Sequence, residues 1–255
     1  MVDMEITFLG TGTSHGIPVL TCDCVVCVSL NPKNKRTRSS LWVQQGKTSI
    51  LIDTATEFRI QALEAKISKV DGVLYTHCHA DHVFGFDDLR VFSTLTNTSI
   101  PIYGNEPTME EFQEVFAYVF RETQEGGGKP QVEPIIVQEP FQIGEIQVQP
   151  IPVFHGSLPI LGYRLGGLAY VTDCSYIPPA SLGLLKNLEI LVLGVVRHEP
   201  HSTHMHVGQA LELVEKLRPK RTYFTHISHL LEHDDTNASL PANVSLAYDG
   251  LKVSL

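Results

Sequence analysis

A chain of 255 residues with 43% hydrophobic side chains can bury a sizeable core, and a charged fraction of 18% with 19 glycines and 15 prolines excludes a long disordered or low-complexity polymer. Lys+Arg of 19 against Asp+Glu of 28 leaves a formal net charge of −9, which opposes attraction to long nucleic acids. No apolar run approaches the roughly 18 residues needed to cross a bilayer, and the N-terminal MVDMEITFLG lacks the basic flank and apolar core of a secretory signal, so a soluble, cytoplasmic protein with no membrane partner is expected.

Short β-rich runs dominate the first third: Ile6 to Leu9, Ser40 to Val43 and Ser49 to Ile52, the last two joined hairpin-fashion at Gln45-Gly46. Glu57 to Lys66 reads as a helix, Val73 to Thr76 as a buried strand, Asp87 to Phe92 as a short helix and Pro101 to Tyr103 as a strand. Pro107 to Phe120 reads as one amphipathic helix, ended by Gly126-Gly127-Gly128. Strands follow at Val132 to Val137, Ile146 to Phe154, Leu161 to Leu165, Leu168 to Val171, Ile190 to Leu193 and Thr222 to Thr225, with a terminal pair around Val244 and Val253. Helices at Pro179 to Lys186 and His206 to Leu217 are interposed. Two strand-rich halves, each with helices, predict a single α/β (α+β) domain over 1–255, a four-layer αββα sandwich.

The chemistry concentrates in Thr76-His77-Cys78-His79-Ala80-Asp81-His82, where four potential metal ligands fall within six residues after a strand. Side chains two apart on extended backbone point the same way, so His77 and His79 can share one ion, and the following turn aims Asp81 and His82 at a second. Imidazole and carboxylate suit zinc or manganese, with iron open, and such an ion lowers the pKa of its water toward neutrality.

Thr-His-x-His-x-Asp-His resembles the signature of the metallo-β-lactamase superfamily, whose fold is the αββα sandwich. The superfamily's other motifs occur in order: Asp53 in Leu51-Ile52-Asp53-Thr54, His155 in Phe154-His155-Gly156, Asp173 in Val171-Thr172-Asp173 and His226 in Phe224-Thr225-His226. The resemblance implies a dinuclear hydrolase with His77, His79 and His155 on one ion, Asp81, His82 and His226 on the other, and Asp173 bridging. Hydroxide between the ions would attack the substrate, and Asp53 would orient ligands.

Thr21-Cys22-Asp23-Cys24-Val25-Val26-Cys27 supplies C-x-C-x2-C, three soft ligands that need a fourth to close a tetrahedral zinc site. A redox cluster and an incomplete iron-sulfur set are the alternatives. In Thr225-His226-Ile227-Ser228-His229, one histidine can face the hydrolytic site while His229 closes the zinc site. Together the two motifs resemble the PhnP-like phosphoribosyl cyclic phosphate phosphodiesterases, and that resemblance implies a structural zinc on Cys22, Cys24, Cys27 and His229. It also implies a general acid at His204, the histidine before the helix that starts near Val207, with Asp81 the other catalytic residue.

His198, His201 and His206 read as polar loop or helix-cap residues. Lys33 to Arg38 reads as a solvated basic loop or a homodimer contact, and Gly10 to Gly16 as a loop beside the metal site with His15 near substrate. The stretch 106–130 is open to being a lid or a dimer surface. The expected function is hydrolysis of a small cyclic or nucleotide-like phosphodiester. The alternatives are a thioester or lactam hydrolase, a transfer-RNA nuclease, and a non-catalytic metal or redox sensor.

Overall fold

The computed structural model describes residues 3–122 and 128–255. Its first sheet is built from β1 (Met4–Gly10), β2 (Ser40–Gln45), β3 (Thr48–Ile52), β4 (Gly72–Leu74), β5 (Ile100–Gly104) and β6 (Val132–Ile136). The second takes β7 (Phe141–Ile143), β8 (Ile146–His155), β9 (Leu158–Leu165), β10 (Leu168–Val171), β11 (Ile190–Gly194), β12 (Arg221–Thr225) and β13 (Val244–Leu246). The last strand, β14 (Lys252–Ser254), returns to the first sheet and pairs with β1. The orders are β14-β1-β2-β3-β4-β5-β6 and β13-β12-β11-β10-β9-β8-β7.

Alternation along each strand sets the layers. Ile50 and Ile52 of β3 join Ile6, Phe8, Tyr163 and Tyr170 in the core between the sheets. Leu51, between the two isoleucines, faces outward and packs with Trp42, Phe58, Val73 and Phe92. On the other sheet Tyr170 and Val192 point inward, while Ala169, Val171, Leu191 and Leu193 pack outward against Ala210 and Val214. The expected four-layer αββα sandwich is the observed fold.

The helices are α1 (Val25–Val28), α2 (Phe58–Ala65), α3 (Ala80–Val83), α4 (Leu89–Thr96), α5 (Glu106–Val115), α6 (Ala117–Phe120), α7 (Pro179–Leu182), α8 (Val207–Leu217) and α9 (His233–Ser239). The single helix expected over 107–120 is two, because Phe116 leaves helical backbone at φ −105, ψ 35. Met109, Phe112, Phe116 and Val119 nevertheless all pack on the outer face of the first sheet. The lid or dimer reading of 106–130 falls partly on residues 123–127, which lie outside the described residues. The expected terminal strand pair is not a pair: β13 and β14 sit at the edges of different sheets.

Parallel pairing fixes where the site lies. β3 and β4 run parallel, as do β10, β11 and β12, so the C-terminal ends of β3, β10 and β12 deliver Asp53, Asp173 and His226 at strand ends, where open α/β sheets place their ligands.

Candidate metal centre

Three residues at these strand ends adopt left-handed backbone although none is glycine: Asp53 at φ 61, Asp173 at φ 51 and His226 at φ 55. Such conformations cost of order 1–3 kcal/mol each and persist where the surroundings enforce them. Here the turn swings each side chain off the strand axis. Leu74 carbonyl oxygen accepts from Asp53 N at 2.9 Å, and Ile227 N donates to Thr11 O at 2.8 Å, which anchors the residue after His226.

His77, His79 and His155 bring ligand atoms within 4.8 Å of one another, as do Asp81, His82, Asp173 and His226. Asp173 lies between the groups. Its Oδ1 is 3.3 Å from both His82 Nε2 and His226 Nε2, while its Oδ2 is 3.9 Å from His77 Nε2 and from His204 Nδ1. Asp81 Oδ2 approaches His82 Nε2 at 3.2 Å and His226 Nε2 at 3.4 Å.

Hydrogen bonds on the far ring nitrogens decide which nitrogen is free. His82 Nδ1 donates to Asp53 Oδ2 at 2.8 Å. Thr76 Oγ1 donates to Asp53 Oδ2 at 2.9 Å and can then accept from His77 Nδ1 at 2.9 Å. His155 Nδ1 donates to Thr203 O at 2.8 Å. In each ring this leaves Nε2 as a lone-pair donor toward the centre.

The donor set fits divalent ions. His77 Nε2 and His82 Nε2 are buried with no hydrogen-bond partner, a deficit that a coordinated cation removes. Burial works against an ionised Asp173, yet His226 and His82 hold its carboxyl well below the usual range. Asp81 is likewise lowered against its own burial, chiefly by His82. His77 is driven well below the ordinary imidazole value by burial. The centre thus presents ionised carboxylates and a neutral His77, while Asp81, Asp173 and Asp53 raise His82 against its burial, so a cation binding at its Nε2 would displace a proton.

His204 stacks on His226, ring centroids 5.1 Å apart, and its ring lies 4.6 Å from that of His155. Burial lowers it to about 3, so the imidazole is neutral in the free protein. Asp53 reaches the cluster through its hydrogen bonds with His82 and Thr76.

At the cysteine motif the Sγ atoms of Cys22, Cys24 and Cys27 lie 3.3, 3.4 and 3.5 Å from His229 Nδ1. Sulfur and nitrogen sharing one tetrahedral zinc are separated by roughly 3.5 Å, given bonds of about 2.3 and 2.0 Å. The backbone N–H of Cys27 lowers the Cys24 thiol to about 6, which favours a thiolate there. Cys78 and Cys174 are buried and pushed up to about 12, and they take no part.

Two sequence readings change. The basic run is not a solvated loop at its centre: Arg36 is buried, donating from Nη1 to Thr11 Oγ1 at 2.7 Å and Ala247 O at 2.5 Å, and from Nη2 to His233 Nδ1 at 3.1 Å. Arg38 is paired with Glu57. Nothing in hydropathy separates a buried arginine from an exposed one, and only its partners, Ala247 and His233 far along the chain, reveal it. His201, expected as a polar loop or cap residue, lies with its ring 4.9 Å from that of His204, and both line a cavity that also reaches His15, Arg197 and His229. His206 is a helix cap as expected, accepting from Gly208 N and forming a capping box with Gln209.

Two seven-stranded sheets, with a histidine-aspartate centre at the strand ends and helices outside, define a hydrolase of metallo-β-lactamase fold. Residues 48–227 match the family described as a beta-lactamase superfamily domain. The chain is 44% identical to the structure described as a new diphosphatase from the PhnP family, with a TM-score of 0.93 over 99% of this chain and 97% of that one. It is 35% identical to the octanoyltransferase of Porphyromonas gingivalis across 98% of this chain and 51% of that protein. Over 105 residues it is 36% identical to ribonuclease BN of Cronobacter sakazakii, 40% of this chain and 30% of that one. The chain thus spans about half the length of the first of these curated relatives and under a third of the second. It belongs to the β-lactamase superfamily and, within it, to the PhnP family.

Among the described residues no helix is long and apolar enough to cross a membrane.

Proposed function

We propose that the protein is a metal-dependent phosphodiesterase acting on a small anionic substrate, a cyclic or nucleotide-like phosphodiester. The observation that carries this reading is Asp173, whose two oxygens face two separate ligand groups. In this reading His77, His79 and His155 would hold one divalent ion and Asp81, His82 and His226 a second, with Asp173 lying between the two groups. Two such ions, zinc or manganese with iron as the alternative, supply Lewis acidity toward phosphoryl oxygens and acidify water.

The protein's own residues do the rest. Asp53 and Thr76 fix the imidazole tautomers, so the ligand nitrogens need no reorganisation. Asp81 sits beside two imidazoles with its carboxylate ionised, placed to orient water. His204, on the open side of Asp173, serves the leaving oxygen. It is neutral when the site is empty of substrate, and a phosphate anion against the ring favours the imidazolium that donates the proton. Cys22, Cys24, Cys27 and His229 hold a structural zinc in this reading. The absence of any disulfide among the described cysteines suits a reducing, cytoplasmic setting.

Support also comes from two relatives, a diphosphatase of the PhnP family and ribonuclease BN. The octanoyltransferase name belongs to a protein about twice as long. The test is hydrolysis of bis-p-nitrophenyl phosphate, an aryl thioester and a chromogenic β-lactam by metal-replete protein. Diester turnover that is abolished by chelation and restored by zinc or manganese is expected. Turnover of the thioester or lactam with the diester untouched overturns the reading.

A further inference from the structure

Three of the histidine ligands have a ring nitrogen braced from behind: His82 by Asp53, His77 by Thr76 and His155 by the Thr203 carbonyl. His226 has no such brace. Its Nδ1 is buried without a hydrogen-bond partner, and its ring stacks between those of His82 and His204 at centroid distances of 5.7 and 5.1 Å. Its placement therefore depends on its backbone, which is left-handed at φ 55 and persists only where the surroundings enforce it.

The residue after it carries that constraint. Ile227 is fully buried, donates from its N–H to Thr11 O at 2.8 Å and accepts at its carbonyl from Thr13 N at 3.1 Å. Residues 11–13 thus grip the turn between His226 and His229 from both sides. Gly12 passes between Arg38 and Ile227, where a Cβ would come within 3.0 Å of Thr37 O and 3.1 Å of Arg36 Cβ, so the close approach favours glycine.

The grip is tied to a charge pair away from both ligand groups. Thr11 Oγ1 donates to Asp249 Oδ1 at 2.7 Å and accepts from Arg36 Nη1 at 2.7 Å, so one buried hydroxyl bridges the arginine and the acid. Asp249 Oδ2 in turn accepts from Thr37 N at 2.6 Å and Thr37 Oγ1 at 2.7 Å. Burial lowers Arg36 only to about 10, so its guanidinium stays charged at neutral pH. A buried cation is costly unless it is paired and hydrogen-bonded, and charge-assisted bonds of this kind fix geometry. Neither Arg36 nor Asp249 belongs to a ligand group.

We infer that Arg36, Asp249 and Thr11 form a positioning network that holds the metal ligand His226 through the Ile227 turn. The inference rests on the reading of the histidine-aspartate centre as a metal site. It gives the glycine-rich loop after β1 and the basic run before β2 a common role: the loop grips the turn, and the charge pair fixes the loop. His229 lies on the same turn but is also held among three cysteine sulfurs, so a loosened network acts chiefly on His226.

The experiment uses protein produced with cobalt(II) as its metal and challenged with a graded series of chelator. Thiolate-to-cobalt charge transfer reports the cysteine site, and the weaker ligand-field bands report the histidine-aspartate centre. Thr11→Val keeps the side-chain shape and removes the hydroxyl, whereas Thr11→Ser keeps the hydroxyl. Loss of an outer-shell partner costs roughly 10- to 100-fold in metal affinity. Thr11→Val should lose that factor at the histidine-aspartate centre with the charge-transfer band unaffected, and Thr11→Ser should stay near wild type. A folded Thr11→Val with wild-type affinity at that centre overturns the inference, as does an equal loss at the cysteine site or in Thr11→Ser. If Thr11→Val does not fold, Asp249→Asn, which keeps the shape and one acceptor oxygen, is read in the same way. If the wild-type centre takes up no cobalt, the metal reading falls by itself, and amide hydrogen exchange decides the network. The Ile227 N–H should then exchange about 10-fold faster in Thr11→Val, the factor one net hydrogen bond supports, with Leu193 in β11 unchanged. Equal Ile227 rates in variant and wild type overturn the inference.

Discussion

Asp53 and His82 are 29 positions apart, yet a 2.8 Å hydrogen bond joins Asp53 Oδ2 to His82 Nδ1 in full burial, and the same carboxylate reaches His77 through Thr76. One acidic side chain therefore sets the orientation of a ligand in each of the two groups. Burial raises the Asp53 carboxyl above the usual carboxylate range, against the opposing pull of the nearby His82.

Asp53→Ala should therefore weaken both sites together. Second-shell losses of this kind cost roughly 10- to 100-fold in metal affinity. Metal competition with a chromogenic chelator checks it, alongside circular dichroism to establish that the variant is folded. A folded variant that keeps wild-type affinity would show that Asp53 does not orient the ligands.

The leaving-group dependence of His204→Ala tests the acid. An alkoxide needs a proton to depart, whereas p-nitrophenolate does not, and general acid catalysis contributes about 10²- to 10⁴-fold. The variant should lose within that range on an alkyl diester and far less on bis-p-nitrophenyl phosphate. Equal losses on both substrates would mean that His204 serves binding or ligation, which its 3.9 Å approach to Asp173 also allows.

The sandwich was legible from its strands, and Asp53 and Asp173 stood out because each follows a short apolar run. Leu51-Ile52 before Asp53 and Tyr170-Val171 before Thr172-Asp173 are such runs. What sequence pattern does not carry is backbone handedness, since nothing in those runs announces φ of 61 and 51 at two aspartates. Short or polar elements were also hidden. Strand β7 has three residues, and α9 is His-Asp-Asp-Thr-Asn-Ala-Ser, whose stability comes from its Glu232 cap and from His233 and Thr236 buried beneath it. The cavity of Arg197 joins segments near positions 15, 197 and 229, and no local window contains all three.

Removing the cysteine cluster's ligands separates structure from chemistry. Cys22→Ser should lose one equivalent of zinc by elemental analysis while the equivalents on the histidine-aspartate centre remain. Loss of a few kcal/mol lowers the melting temperature of a domain this size by roughly 5–15 °C. Loss of all metal in this variant would instead mean that the cysteines and the hydrolytic ligands form one cooperative site, joined through the short loop from His226 to His229.

Acid stability should report on His233. Its ring is buried against Arg36, whose Nη2 bonds His233 Nδ1 at 3.1 Å, and burial, then that cation, lowers it to about 4. An unfolded histidine titrates near 6.5. Between these values the unfolded chain takes up a proton that the folded protein refuses. The stabilising contribution is therefore complete above about pH 6.5 and is lost as pH falls toward 4. His233→Gln keeps an oxygen for Arg36 to bond but cannot titrate. The melting temperature of the variant minus that of wild type should rise steadily from pH 7 to pH 4.5, because only wild type carries this loss. A difference that stays constant over that range would place the His233 proton equilibrium outside the folding transition.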